Sequence, residues 1–175
     1  MYDASNGSFA TKYLDEDVEQ TNIASGWGAI SEGCGNTASG NWGSHAEGQK
    51  NTASGNSSHA EGAQNIASGT TSHAEGWYTI AQNQTEHAEG QTNLSHKASD
   101  NYGNAGNTQH SVGIGVSPNR KNAFEIMQNG DMYVFGVGGY QRTDTKVQDP
   151  TIKTLQEYIA SLEERIAILE GNTIR

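Results

Sequence analysis

Four histidines, His45, His59, His73 and His87, fall 14 residues apart. Three sit in the pentapeptide Ser-His-Ala-Glu-Gly, beginning at Ser44, Ser58 and Ser72, and the fourth in Glu86-His87-Ala88-Glu89-Gly90. Between these copies Ala-Ser-Gly recurs at Ala24, Ala38, Ala53 and Ala67, with a variant at Ala81. A degenerate copy, Ala29-Ile30-Ser31-Glu32-Gly33, lies 15 residues before the first full one, and the extra residue fits an insertion near Trp42. A fixed 14-residue period in two near-equal halves predicts one coil of a β-solenoid, with two short strands and two turns, each coil stacked on the next by parallel pairing. The register blurs through Leu94–Gln109.

Strand alternation sorts the pentapeptide by face. Ser44, Ala46 and Gly48 point one way and His45 and Glu47 the other. The small set is expected inside, because a narrow roll has no room for more. Branched aliphatic bulk between Ala24 and His110 is limited to Ile30, Ile66, Ile80 and Leu94. Leu, Ile, Val and Phe number only 25 of 175 residues, and 22 are Gly. A chain below about 20 % in those apolar types, with high net charge, would ordinarily be read as disordered. The periodicity argues otherwise, since a disordered chain has no need of a fixed period. At ~25 cal/mol per Å² of apolar burial such an interior contributes little, so one chain alone is expected to be marginal.

Beyond the repeats the pattern changes twice. Val112, Ile114 and Val116 alternate with small residues, and Asn129-Gly130 between two apolar runs predicts a hairpin. A two-residue turn there would pair Phe124 with Phe135 and Ile126 with Tyr133 on one face, leaving Met127, Met132 and Val134 on the other. Ile152, Leu155, Ile159, Leu162, Ile166 and Leu169 then step by three and four, the seam of a short coiled coil. Asp149 is its expected N-cap, Pro150 its first position and Gly171 its stop. The predicted organisation is an N-terminal segment without assigned role (1–23), β-roll repeats (24–110), a β-hairpin neck (111–140), a linker (141–150) and a coiled coil (151–171).

Charge and composition exclude several functions. Ten Lys and Arg against 20 Asp and Glu give −10, which repels nucleic-acid backbones and anionic membranes. No apolar run approaches the ~18 residues of a membrane span, and the first ten residues carry no signal-peptide core. One cysteine, Cys34, allows neither an intrachain disulfide framework nor a cysteine-based zinc site. Ser, His and Glu within five residues invite a catalytic triad, but the serine points away from the histidine. The spacing His-x-Glu is not that of a helical zinc site, and Gly136–Gly139 lacks the context of a phosphate loop. The hexapeptide, calcium-binding nonapeptide and Thr-x-Thr ice-binding rolls each need a signature that is absent; Thr37 and Thr52 share a column that continues as Ile66 and Ile80. No enzyme activity, cofactor or metal is expected.

The Ser-His-Ala-Glu-Gly and Ala-Ser-Gly repeats resemble the head repeats of YadA-like trimeric adhesins, whose pattern is Ser-Val-Ala-Ile-Gly followed by Ser/Thr-x-Ala-x-Gly. The likeness covers about Ala24–Gly115, roughly half the chain, and Ser111-Val112-Gly113-Ile114-Gly115 is closest to the parent pattern. It implies a mainly β homotrimer of left-handed parallel β-rolls whose Val/Ile positions face the trimer axis. Here His45, His59, His73 and His87, with Glu47, Glu61, Glu75 and Glu89, occupy those positions. The expectation is an interchain His–Glu ladder in which each Glu raises the pKa of its His, with three-His ion capture at the axis as an alternative. Arg165 and Glu170 flank the seam in a pattern that looks like the Arg-h-x-x-h-Glu motif of trimeric coiled coils, giving an interchain ion pair. The C-terminal parts look, more loosely, like those of phage fibres.

Trp27, Trp42, Trp77 and Tyr78 are too large for the roll's interior and are expected outward, as seam shields or glycan contacts. The whole reads as a segment of a homotrimeric phage fibre, on tail or head, that anchors to a virion protein and contacts a host glycan or protein. The alternatives are a bacterial adhesin head at the cell surface and a purely structural capsid decoration. A complete adhesin would add a secretion signal and a membrane β-barrel segment, so a chain ending in NTIR favours the phage reading.

Overall fold

The structure, a computed structural model, describes residues 1–14, 19–135, 144–146 and 159–166, with side chains in 1–11, 21–134 and 159–166. It divides into two compact units, Met1–Thr145 and Lys146–Arg175.

The first unit is a parallel β-solenoid. Each coil contributes one strand to an eleven-stranded sheet and one to a five-stranded sheet. The larger sheet stacks Ser8–Ala10, Ile30–Cys34, His45–Gln49, His59–Ala60, His73–Ala74, His87–Gln91 and Thr108–Ile114 in parallel. The smaller stacks Ile23–Ala24, Thr37–Ala38, Thr52–Ala53, Ile66–Ala67 and Ile80–Ala81, also in parallel. His pairs with His and Ala with Ala, so the 14-residue period is the coil length. The extra residue lies in the Asn41–Gly43 turn: Gly40 and Ser44 are separated by one residue more than Gly55 and Ser58, which form the same corner one coil on.

The interior is alanine. Ala38, Ala53, Ala67 and Ala81 from one sheet meet Ala46, Ala60, Ala74 and Ala88 from the other, all fully buried. Ile23, Ile30 and Ile66 face outward, so the scarce branched residues do not build the core. Methyl groups alone bring little hydrophobic stabilisation. Polar groups complete the packing. Ser44, Ser58 and Ser72 are buried and donate to the carbonyls of Gly40, Gly55 and Gly69 in their own turns.

A buried asparagine column at 14- and 15-residue spacing does more. Asn36, Asn51 and Asn65 receive at Oδ1 the backbone N–H of the next coil, from Asn51, Asn65 and Thr79, each at 2.8 Å. Their Nδ2 groups donate to carbonyls of their own coil and the next: Asn36 to Glu32 and Gly48, Asn51 to Glu47 and Gly62, Asn65 to Glu61 and Gly76. The side chain thus satisfies backbone groups that the turn removes from the ladder. Glycine fills the corner beside it. A Cβ on Gly48 or Gly62 would overlap the carbonyl oxygen of the next coil's glycine, and φ there is +96° and +94°. Gly48 is consequently exposed at the corner, not inside with Ser44 and Ala46 as expected.

Each end of the roll is modified. At the N-terminus, Phe9 pairs with Ile30, so part of the unassigned 1–23 segment is a coil. That coil is lengthened by an antiparallel pair, Lys12–Leu14 with Glu19–Thr21. Tyr2–Asp3 folds back on Ser8–Ala10. At the other end Leu94–Gln109 is an insertion within the last coil, and Thr108–Ile114 returns to register on His87–Gln91. Asn122–Met127 and Met132–Phe135 continue the sheet antiparallel.

The hairpin register differs from expectation. Phe124 pairs with Val134, Glu125 with Tyr133 and Ile126 with Met132, one residue off the predicted pairing. The turn has three residues, not two. Gly130 takes φ +88° and donates its N–H to Met127 O, while Asn129 stays out of the left-handed region. This is the type I turn with a bulging glycine, which Asn-Gly also permits. A one-residue slip exchanges faces. Met132 and Val134 therefore share the outward face with Ile126 and Phe124, whereas Met127 is buried.

In the second unit residues 159–166 are helical, with Ile159 and Ile166 each half exposed and Leu162 partly covered. Arg165 is exposed on it. Phe135's side chain, Asp149, Pro150, Ile152, Leu155, Leu169, Glu170 and Gly171 lie outside the described residues.

Candidate functional site: the histidine–glutamate face

Stacking at the parallel-strand spacing lines up the outward side chains of the larger sheet. The rings of His45, His59, His73, His87 and His110 stack with centroids 4.7–4.9 Å apart and planes within 12°. Two residues along each strand runs a parallel column of Glu32, Glu47, Glu61, Glu75 and Glu89. Each histidine reaches the glutamate of the preceding coil: His45 to Glu32 at 3.5 Å, His59 to Glu47 at 3.4 Å, His73 to Glu61 at 3.0 Å, His87 to Glu75 and His110 to Glu89 at 3.3 Å. The expected ladder residues are thus together on one face, and every one of these contacts is within a single chain. His110 and Glu32, not assigned to the ladder from the sequence, extend it at either end.

Electrostatics on this face departs from expectation at His59. Its pKa is lowered, first by burial and then by the neighbouring His73 and His45, while Glu61 and Glu47 pull it up and lose. The neighbouring rings, stacked at 4.7–4.8 Å, add like-charge repulsion to that burial. A lowered folded pKa means the unfolded chain holds the proton more tightly, so this contribution is present above the ordinary histidine range and lost as pH falls through it. That is the opposite sign to a ladder stabilised by His protonation.

Apolar residues bracket the polar ladder on the same face. Phe9 and Ile30 precede His45 in its column. Val112 and Phe124 pair beyond Glu89, and the hairpin slip adds Ile126, Met132 and Val134.

The aromatics are outward but do not form one site. Trp27 and Trp42, 65 % and 69 % exposed, lie at the turns preceding the Ile30–Cys34 and His45–Gln49 strands. Trp77 and Tyr78 lie at the opposite turn, edge to face at 5.4 Å, with the Trp77 indole N–H on Gln64 Oε1 at 3.3 Å. Beside Trp77 a shallow groove is floored by Gly76, Gly90 and Gly113 and walled by Ile114 and Val116.

A second polar cluster sits at the insertion. Glu86 occupies the column of Ser58 and Ser72 and is fully buried. Its Oε2 accepts from the N–H groups of Gln82 and Asn83, from Asn83 Nδ2 and from Ser95 Oγ, while Oε1 is without a hydrogen-bond partner. Burial pushes its carboxyl up to about 7. Nearby, buried Glu125 accepts from Thr108 Oγ1 and lies 2.8 Å from His96 Nδ1. These groups pin Leu94–Gln109 to the last coil.

Comparison with family models, curated proteins and solved structures finds no match.

Proposed function

We propose that this chain is a segment of a homotrimeric fibre carried on a phage particle, in which left-handed β-rolls associate and present an attachment surface to a bacterial host. The observation that carries this reading is the solenoid itself, in which small side chains fill the inside, the histidines and glutamates stand outside in ranks and the large aromatics lie at the turns. That construction suits a rigid spacer and display surface.

Association is supported by the face just described. The His–Glu ladder is bracketed by Phe9 and Ile30 at one end and Phe124, Ile126, Met132 and Val134 at the other. The helical residues 159–166 also leave Ile159 and Ile166 half exposed, as a seam awaiting partner helices would. In the proposed trimer the ladder face turns toward the axis, and the Arg165–Glu170 pattern read from the sequence is the expected interchain ion pair of the coiled coil. The opposite turns stay accessible, and there Trp77 and its glycine-floored groove offer a platform on which a sugar ring can stack.

The test is saturable binding of the labelled full chain to intact bacterial cells. Trp77→Ala is expected to weaken it by about fivefold or more, the effect of losing a central aromatic contact. Binding unchanged by that substitution would remove the platform. Binding to no bacterial surface, from a chain that does form trimers, would replace attachment with a purely structural fibre.

A further inference from the structure

We propose that the histidine–glutamate ladder binds a divalent first-row transition ion, of the zinc and nickel class, between neighbouring coils of one chain, with His59 as a ligand common to two overlapping sites. His45, Glu47 and His59 form the first triad, and His59, Glu61 and His73 the second. In each, one ligand atom from every residue lies within 4.8 Å of the others. Among the described residues these are the two triads that close to this distance. Each triad is complete within one chain, so the proposal needs no ligand from a partner chain.

Three features of the fold bring the ligands together. Parallel pairing holds successive imidazoles at centroid separations of 4.8 and 4.7 Å in nearly parallel planes, so the same edge of each ring faces the same side. The strand alternation then places a carboxylate two residues along on that side, and Glu47 Oε1 lies 3.4 Å from His59 Nε2. Finally, the Nε2 atoms of His45 and His59 are shielded from solvent, and their carboxylate contacts, at 3.5 and 3.4 Å, are not hydrogen bonds. A shielded ring nitrogen that makes no hydrogen bond is costly unless something takes its lone pair or its proton.

The donor set selects the ion. Two imidazole nitrogens and one carboxylate oxygen suit zinc, nickel or copper rather than calcium or magnesium, which require oxygen cages. Imidazole lone pairs lie in the ring plane, so bonds of about 2.0–2.2 Å to one ion require the stacked rings to tilt toward each other as the ligand atoms close in. The side chains can do this, because the histidines and glutamates of these triads are 29–40 % exposed, with room for rotation and for water at the remaining positions. His59 turns one nitrogen to this side, so it serves one ion at a time. Both triads therefore compete for it, and the expected stoichiometry is about one ion per chain.

That shared ligand makes an unusual substitution pattern. Calorimetric titration of the full chain with zinc chloride at neutral pH is expected to show binding. His45→Ala leaves the second triad whole and His73→Ala leaves the first, so each variant keeps binding. His59→Gln breaks both and is expected to weaken binding by about tenfold or more, at least the effect of disturbing a ligand's supporting shell. Should His59→Gln fail to fold by circular dichroism, the double variant His45→Ala/His73→Ala takes one histidine from each triad and carries the same expectation. No zinc binding by the unaltered chain would overturn the proposal. So would binding that survives both His59→Gln and the double variant, or binding abolished by either single outer substitution.

Discussion

Asn51→Ala is expected to lower the melting temperature of the roll by on the order of 10 °C, although it removes a small polar side chain and no apolar packing. Asn51 is fully buried in a central coil. The substitution leaves Asn65 N–H, now bonded to Asn51 Oδ1 at 2.8 Å, without an acceptor. It also takes the Nδ2 donor away from Glu47 O and Gly62 O. A stranded buried donor costs about 1–3 kcal/mol and each lost bond about 0.5–1.5 kcal/mol, so the sum is about 3 kcal/mol or more. For a chain of this size that converts to a shift of about 2–4 °C per kcal/mol. The effect is amplified by position, because coils contact only their neighbours and a weakened central interface divides the stack. Asn56→Ala is the matched control. Asn56 Oδ1 accepts from Asn41 N at an exposed turn where water can substitute, so the change should stay within about 0.5 kcal/mol. Equal melting temperatures for the two variants would contradict the asparagine column as the polar spine of the roll.

Glu86→Gln should change how stability depends on pH by about 3 kcal/mol. Glu86 takes a serine position, so the interior receives a carboxyl in place of a hydroxyl. Four donors converge on Oε2 and still do not offset the burial of charge. With the folded pKa raised from 4.5 to about 7, the folded state binds the proton more tightly than the unfolded chain. Its contribution is fully present below about pH 4.5 and is lost as pH rises through 7, and 1.36 kcal/mol per unit gives about 3 kcal/mol over that window. Glutamine does not titrate. Denaturant unfolding of both proteins between about pH 4.5 and 8 should therefore show the difference moving steadily in favour of the variant as pH rises. The comparison cancels the opposing contribution of His59 and any constant cost of the new amide. A difference that stays flat with pH would contradict the assignment.

What the sequence discloses follows from how the fold is made. A solenoid repeats its contacts, so the 14-residue spacing of His45, His59, His73 and His87 gives coil length, strand position and facing all at once. The same logic reaches further than the repeats that catch the eye. Asn22, Asn36, Asn51, Asn65 and Asn93 are in phase with them, as is Thr79, yet asparagine reads as turn punctuation until a buried backbone needs its amide. Glu86 could be placed inside from the alternation that sends Ser44 and Ser58 inward. Its burial runs against the usual preference of carboxylates for water, and only the insertion's Ser95 and the turn's amides make the site tolerable. The hairpin shows the opposite limit. Asn129-Gly130 marks the turn, but two- and three-residue loops share that signature, and the choice between them decides which face Met132 and Val134 occupy. The first coil is hidden because an inserted pair of strands stretches the spacing from Phe9 to Ile30.

These points bear on function through one physical fact. A roll lined with alanine methyls and held by serine, asparagine and glycine gains little from its interior, while its outer face carries apolar residues at both ends of a polar ladder. On the proposed reading, stability and display are properties of an assembly. The most direct test is the absolute mass of the full chain in solution by sedimentation equilibrium at neutral pH. A mass of three times 18.6 kDa is the predicted result; a well-folded monomer at 18.6 kDa would contradict the account at its base.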